Sequence, residues 1–213
     1  MALVPELCLT DPEAGIAFLH RVFGFAADGS TLTLGSQTLR VRRVDTAQSH
    51  GRIDHIALAV PDIDASLARL LAGGASLDSA VTPNGVGEIA EFWGDGIRYV
   101  YLQGPEAARI ELCQRNAGPV AEAGHDHIGI PCRDLARTQR FFEDQGAVLV
   151  AAVDLPRAEG TVPVRFLTYA GGMIELYAPA GAGLREPGLW SRLLVEGLAG
   201  ERVGPDGLIL APL

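Results

Sequence analysis

DHIALAV at residues 54–60 and DHIGIPC at residues 126–132 open two copies of one longer pattern. Asp62 lies seven residues after His55 and Gly74 nineteen after it; Asp134 and Gly146 stand at the same offsets from His127. The segments between them, PDIDASLARLLAGGA and CRDLARTQRFFEDQGA, both close on Gly-Ala. Further on, IELCQ at 110–114 matches IELYA at 174–178, each preceded by an apolar run with aromatics, IRYVYLQG at 97–104 and VRFLTYAG at 164–171. Internal similarity of this kind is architectural information, because each repeat is one supersecondary unit.

Each unit reads as strand, helix, strands. DHIALAV is a short apolar run ending at a Pro-Asp turn. Asp62 is placed to cap a helix whose apolar face is Ile63, Leu67, Leu70 and Leu71, and Gly73 and Gly74 end it. In the second unit Asp134 caps, Leu135, Phe141 and Phe142 face inward, and Gly146 stops the helix. The later runs, rich in Val, Ile, Tyr and Phe, read as strands. A shorter third copy opens the chain. In LCLTDPEAGIAFLHRVFGF, Asp11 caps a helix with Pro12 just inside it, Ile16, Leu19 and Phe23 on one face and Gly24 at its end. STLTLG and QTLRVRRV then read as two strands about a Gly-Ser turn. This copy has no matching His and counts one strand short; the terminal GLILAPL, or a second copy of the chain in a dimer, is a candidate to supply it. Residues 187–199, PGLWSRLLVEGLA, predict a closing helix. The chain thus divides into a degenerate half-module at 1–48, modules at 51–117 and 124–180, and a C-terminal helix and tail at 184–213.

Side chains alternate faces along a strand. Ile56, Leu58 and Val60 share a face suited to pack under a helix, which turns His55, Ala57 and Ala59 the other way. The same alternation groups His125, His127, Gly129 and Pro131, sets Glu111 and Cys113 against Ile110 and Leu112, and sets Glu175 and Tyr177 against Ile174 and Leu176. Each repeat therefore carries one His and one Glu inside apolar strands, on the face away from the helix. A lone carboxylate there is costly to desolvate. Two imidazoles and two carboxylates meeting at one divalent cation (Zn, Ni, Co, Mn or Fe) remove that cost. The plainer alternatives are a structural His and a Glu paired with an Arg.

Composition excludes several other functions. The formal net charge is −9, and the basic residues cluster only at Arg40, Arg42 and Arg43, so no nucleic-acid surface is expected. No run of apolar residues is long enough to span a membrane, and no secretory signal is read at the N-terminus. Three cysteines without CxxC spacing point to a reducing, cytoplasmic setting. The Gly-Gly pairs at 73–74 and 171–172 read as turns, not phosphate cradles.

Paired units with His near the start of the first strand and Glu on the last resemble the vicinal oxygen chelate superfamily, over residues 3–45, 51–115 and 124–179. That resemblance implies an α+β fold. Paired βαβββ modules would form a cupped mixed sheet with helices outside, and the half-module would be added at the N-terminus. It also implies one shared site for His55, Glu111, His127 and Glu175. The four-residue set is most similar to that of glyoxalase I. It implies a metal-dependent isomerase, epimerase or lyase working on a small molecule, with Glu111 or Glu175 moving a proton beside a carbonyl. The alternatives are a metal-free binding or resistance protein of the same fold and a non-haem iron extradiol-type dioxygenase. By strand parity Tyr177, Cys113, Arg109 and His125 are candidate substrate contacts. Phe92 and Trp93, in the loop 78–96, are candidate covers of the cleft. Unlike typical glyoxalase I, the IEL segments lack a preceding Asp-Pro-x-Gly turn, and SLARLL lacks the usual Phe-Tyr pair. Both departures bear on the substrate more than on the metal.

Overall fold

The computed structural model describes residues 1–158, 160–179 and 187–213. The N-terminal segment forms β1 (Leu3–Leu9), α1 (Pro12–Phe18), β2 (Ala26–Asp28), β3 (Thr31–Leu34) and β4 (Gln37–Arg43). The first repeat forms β5 (His55–Ala59), α2 (Ile63–Ala72), β6 (Ser76–Leu77), β7 (Gly87–Ile89), β8 (Ile97–Gln103) and β9 (Arg109–Arg115). The second forms β10 (Gly124–Pro131), α3 (Leu135–Asp144), β11 (Val148–Arg157), β12 (Gly160–Tyr169) and β13 (Gly172–Tyr177). The C-terminal segment gives β14 (Trp190–Val195), β15 (Arg202–Val203) and β16 (Ile209–Pro212).

The three helices start where their acids sit. The carboxylates of Asp11, Asp62 and Asp134 accept from the backbone N–H groups of Ala14, Ala65 and Arg137 at 3.1, 3.0 and 2.9 Å. Each satisfies a donor that the first turn leaves without a partner. Gly24, at φ +86°, and Gly146, at φ +92°, take the left-handed conformation that stops the chain after its helix.

The two repeats build one nine-stranded mixed sheet in the order β11-β12-β13-β10-β5-β9-β8-β6, with β7 also on β8. They meet edge to edge at the antiparallel pair β5 and β10, where Ala57 faces His127 and His55 faces Gly129. A side chain at Gly129 would run into the His55 ring, so glycine here makes room for the imidazole. Within each repeat the first strand is parallel to the last, Ala57 beside Glu111 and Gly129 beside Glu175. The helix-bearing face holds Ile56, Leu58, Ile110, Leu112, Ile128, Ile130, Ile174 and Leu176 in the main core. The opposite face holds a second cluster that includes Ala57, Phe92, Cys113 and Phe166.

Residues 187–199 are not a helix. Residues 190–195 are β14, antiparallel to β1 with Leu3 opposite Val195 and Leu7 opposite Trp190. The leucines that suggested a helical face are buried as a strand instead, because the edge of β1 otherwise leaves backbone donors and acceptors without partners. A seven-stranded sheet results, in the order β15-β16-β14-β1-β4-β3-β2. The N-terminal half-module is not a strand short: β2, three exposed residues with no apolar signal, completes it. GLILAPL contains β16, which pairs with β14 and not with the half-module. The half-module thus finds its mate within the chain, which removes the reason for expecting a partner subunit there. Of the predicted units, residue 180 of 124–180 and residues 184–186 of 184–213 lie outside the described residues.

A further repeat went unread in the sequence. Gly104-Pro105-Glu106 before β9 recurs as Gly204-Pro205-Asp206 before β16, each acid held at positive φ, 50° and 56°. Glu106 accepts from the backbone N–H groups of Thr10 and Asp11 at the start of α1, and Asp206 accepts from that of Arg133 at the start of α3. The two turns thus play the same part, each holding the start of a helix from another element.

Candidate metal centre

His55 on β5 and His127 on β10 sit 1% and 2% exposed, and their Nε2 atoms approach to 3.2 Å. Each Nδ1 is held by the residue just before it in sequence: Asp54 at 3.1 Å and Asp126 at 2.8 Å. Both Asp side chains are ionised. Burial would raise their pKa values, but the neighbouring His and Arg groups outweigh it and hold both below the usual carboxylate range. An ionised carboxylate only accepts hydrogen bonds, so each Nδ1 carries a proton, and each Nε2 is the atom left to take up a cation or a second proton.

Glu111 Oε2 lies 3.3 Å from His55 Nε2 and 3.2 Å from His127 Nε2, and Glu175 Oε2 lies 3.8 and 3.4 Å from the same two atoms. Two imidazole Nε2 atoms and two carboxylates therefore converge, and with both imidazoles neutral there is no donor among them. Glu111 Oε2 is buried and has no hydrogen-bond partner. Ligands bound about 2.0–2.2 Å from one ion stand about 3 Å or slightly more from each other. Most of the separations, 3.2 to 3.4 Å with one of 3.8 Å, are near that size; His55, His127 and Glu175 form one close group and Glu111 joins His127 in a second, so the residues present fit a divalent cation.

Protons are the alternative countercharge. Burial would lower the His55 pKa, but Asp54 and Glu111 raise it to about 9; Glu175, Asp126 and Glu111 push His127 well above its usual value against the same burial. Glu111 falls to about 2, where the two imidazolium charges outweigh burial. A His pKa raised on folding adds stability below the unfolded value near 6.5 and loses it as pH rises through the folded value. The metal-free protein is therefore expected to lose thermal stability between about pH 6.5 and 9. The metal-loaded protein, whose cation replaces those protons, is expected to lose much less over that window. Melting curves with and without chelator check this, and equal pH slopes in the two forms would contradict it. The same displacement predicts proton release on metal uptake at pH 7, read from the buffer dependence of the binding heat.

The orienting Asp residues are themselves anchored. Arg109 donates to both Asp54 oxygens at 2.7 and 2.8 Å and to Asp78 at 2.7 Å. Arg115 lies 3.8 Å from Asp126 and 4.1 Å over the Trp93 ring. Such outer contacts fix ring orientation and ligand basicity.

Above the four residues opens a cavity of about 300 Å³. Tyr177, Arg109 and Phe92 line it, with Glu111, His127 and Glu175 at its floor. Trp93 packs on Phe166 at 4.8 Å between ring centres, beside the cavity and not in its wall. Cys113 is buried in the apolar cluster next to the floor, and burial raises its thiol pKa well above the usual value, so it stays a thiol. His125 is turned away. Its Nε2 accepts from the Met173 N–H at 2.9 Å and its Nδ1 lies 2.8 Å from Gln37 Oε1, so it ties the two sheets together. The bulge between His125 and His127 breaks the alternation that had put them on one face. Tyr101 was missed: its hydroxyl lies 3.4 Å from His55 Nε2, and burial with Glu111 and Glu175 nearby keeps it a neutral phenol. Parity in IRYVYLQG was the available signal, since Tyr101 pairs with Glu111.

No family model and no curated protein matches the sequence. Solved structures do match in fold. Two mutant forms of glyoxalase I from Zea mays share 17% identity with it over 98% of this chain and 91% of theirs, with TM-scores of 0.76 and 0.77. A putative dioxygenase from Bacillus subtilis matches 84% of this chain and 64% of its own, at 16% identity and a TM-score of 0.55. A mutant 4-hydroxymandelate synthase from Streptomyces coelicolor matches over 87% and 72%, at 12% identity and 0.52. The α+β fold of paired βαβββ modules is thus shared with these glyoxalase I structures. Among the described residues no helix is long and apolar enough to cross a membrane.

Proposed function

We propose that this protein is a metal-dependent enzyme of glyoxalase-like chemistry, moving a proton at a carbon beside a carbonyl of a small molecule. The observation that carries the reading is the buried set of two imidazoles and two carboxylates, whose Nε2 atoms lie 3.2 Å apart and 3.2 to 3.8 Å from the Glu111 and Glu175 Oε2 atoms. A divalent cation bound there supplies Lewis acidity, stabilising negative charge on substrate oxygens. Glu111 and Glu175 stand on opposite modules, so a substrate above the floor lies between two carboxylates. Either one is placed to take the proton, and the other to return it on the opposite side. Asp54 and Asp126 hold the imidazoles in the Nδ1–H form throughout. Tyr101, neutral and beside His55, offers an O–H to a developing oxyanion. Two carboxylates favour proton transfer over oxygen activation, since 2-His-1-carboxylate oxygenases keep the fourth protein position open.

Exchange in heavy water tests the reading. The metal-loaded protein is expected to wash deuterium into the carbon beside the carbonyl of an α-hydroxyketone or thioester, followed by proton NMR. Glu111→Gln or Glu175→Gln is expected to slow exchange by about 10²–10⁴-fold, the usual size of a general base contribution. Metal-loaded protein that exchanges no such substrate, or Gln variants that both exchange at the wild-type rate, would sink it.

A further inference from the structure

Resting on the reading of the floor as a metal centre, we infer that the substrate is an amphipathic anion: an apolar body that fills the cavity wall, ending in one carboxylate or phosphate held by Arg157. Above the floor the larger part of the wall is aliphatic, built by Val81, Ile89, Ile97, Leu155, Val162 and Val164 from both modules, with the hydroxyls of Tyr99, Tyr101 and Tyr177 among them. The aliphatic side chains offer no hydrogen bond and the three hydroxyls are few, so a peptide-like body rich in amides and charges would lose more hydration there than it recovers. The charges at the floor are already matched. Arg109 is committed to Asp54 and Asp78, and the two Glu carboxylates balance a divalent cation.

Among the described residues Arg157 is the wall cation without such a match. It sits at the end of β11 opposite Gly160, exposed, and among the described residues its guanidinium donates only to the carbonyl oxygen of Pro156. The Tyr99 phenol lies near enough to feel its charge. A guanidinium in the wall of an apolar cavity selects a planar or tetrahedral oxyanion, and the pair excludes a cationic tail. Floor and rim together fix the substrate's length: vicinal oxygens at one end, the anion at the other, hydrocarbon between.

Titration calorimetry of the metal-loaded protein with three probes tests this: 4-phenylbutyrate, 4-phenylbutanamide and S-hexylglutathione. The acid is expected to bind about tenfold more tightly than the amide, as for one partly exposed charge-assisted pair. Arg157→Gln is expected to erase that difference, and S-hexylglutathione to bind no better than the amide. An amide equal to the acid, a preference that survives Arg157→Gln, or S-hexylglutathione as the tightest of the three would each overturn the inference. Metal content measured on the same samples separates the two readings. Wild-type protein that takes up no metal but prefers the acid sinks the metal centre alone; metal-loaded protein without the preference sinks this inference alone.

Discussion

The His127→Ala protein is expected to bind its divalent cation at least 100-fold more weakly than wild type, and to emerge from purification with close to no transition metal. Loss of an orienting residue outside the ligand set already costs about 10–100-fold in affinity, so loss of a ligand should cost more. His127 lies within 3.4 Å of all three other donors, so its removal opens the site to both carboxylates at once. It also leaves Asp126 with Arg115 as its remaining charged neighbour and Glu175 without its nearer imidazole. Because these buried charges destabilise the fold when unpaired, His127→Gln serves as the companion variant, keeping bulk and a hydrogen-bonding end. Elemental analysis and the thermal shift on adding Zn, Ni, Mn or Fe(II) read the outcome. One equivalent of metal retained at wild-type affinity in both variants would remove His127 from the centre.

Trp190→Ala is expected to lower the unfolding free energy by about 3–5 kcal/mol, the range for a large aromatic deleted from a core that cannot collapse around the gap. The side chain is 1% exposed and is among the largest fully buried. Its Nε1–H donates to the Arg109 carbonyl at 3.0 Å, and its backbone bridges to Ile53. The indole thus fastens β14 to β9 at Arg109, while the backbone bridge ties the same residue to the segment just before β5. Truncation leaves a cavity and a part-buried carbonyl without its indole donor, which adds to the cost. Urea unfolding followed by circular dichroism measures it. A loss under about 1 kcal/mol would mean that the two sheets do not depend on this contact. Weaker metal binding is expected to accompany the loss, because Arg109 begins β9 two residues before Glu111 and holds Asp54 in place.

Much of the fold was readable because the signals were local and duplicated. Asp62 and Asp134 cap helices wherever they precede an amphipathic stretch, and the repeat showed each in its frame twice. Strand alternation sufficed to put His55, Glu111, His127 and Glu175 on the face away from the helices, since apolar neighbours such as Ile56 and Ile110 must go under them. Where the local rule is interrupted the reading failed. A bulge turned His125 out of the face it should have shared with His127. WSRLLV has leucines at spacings that suit a helix or a strand, and the open edge of β1 decided between them. β2 had nothing apolar to announce it.

The sequence by itself determined the repeat, the caps, the apolar faces and the identity of the four acceptors. These follow from single residues and their near neighbours, through periodicity and backbone hydrogen bonding. Tertiary structure alone decided that the two repeats join along β5 and β10, which brings residues 72 positions apart to 3.2 Å. It also decided that each imidazole is fixed by the Asp before it, that Arg109 and Tyr101 flank the centre, and that the chain's two ends close a second sheet. Such contacts depend on which strand edges and buried charges find partners across the fold, and only the folded chain brings those partners together.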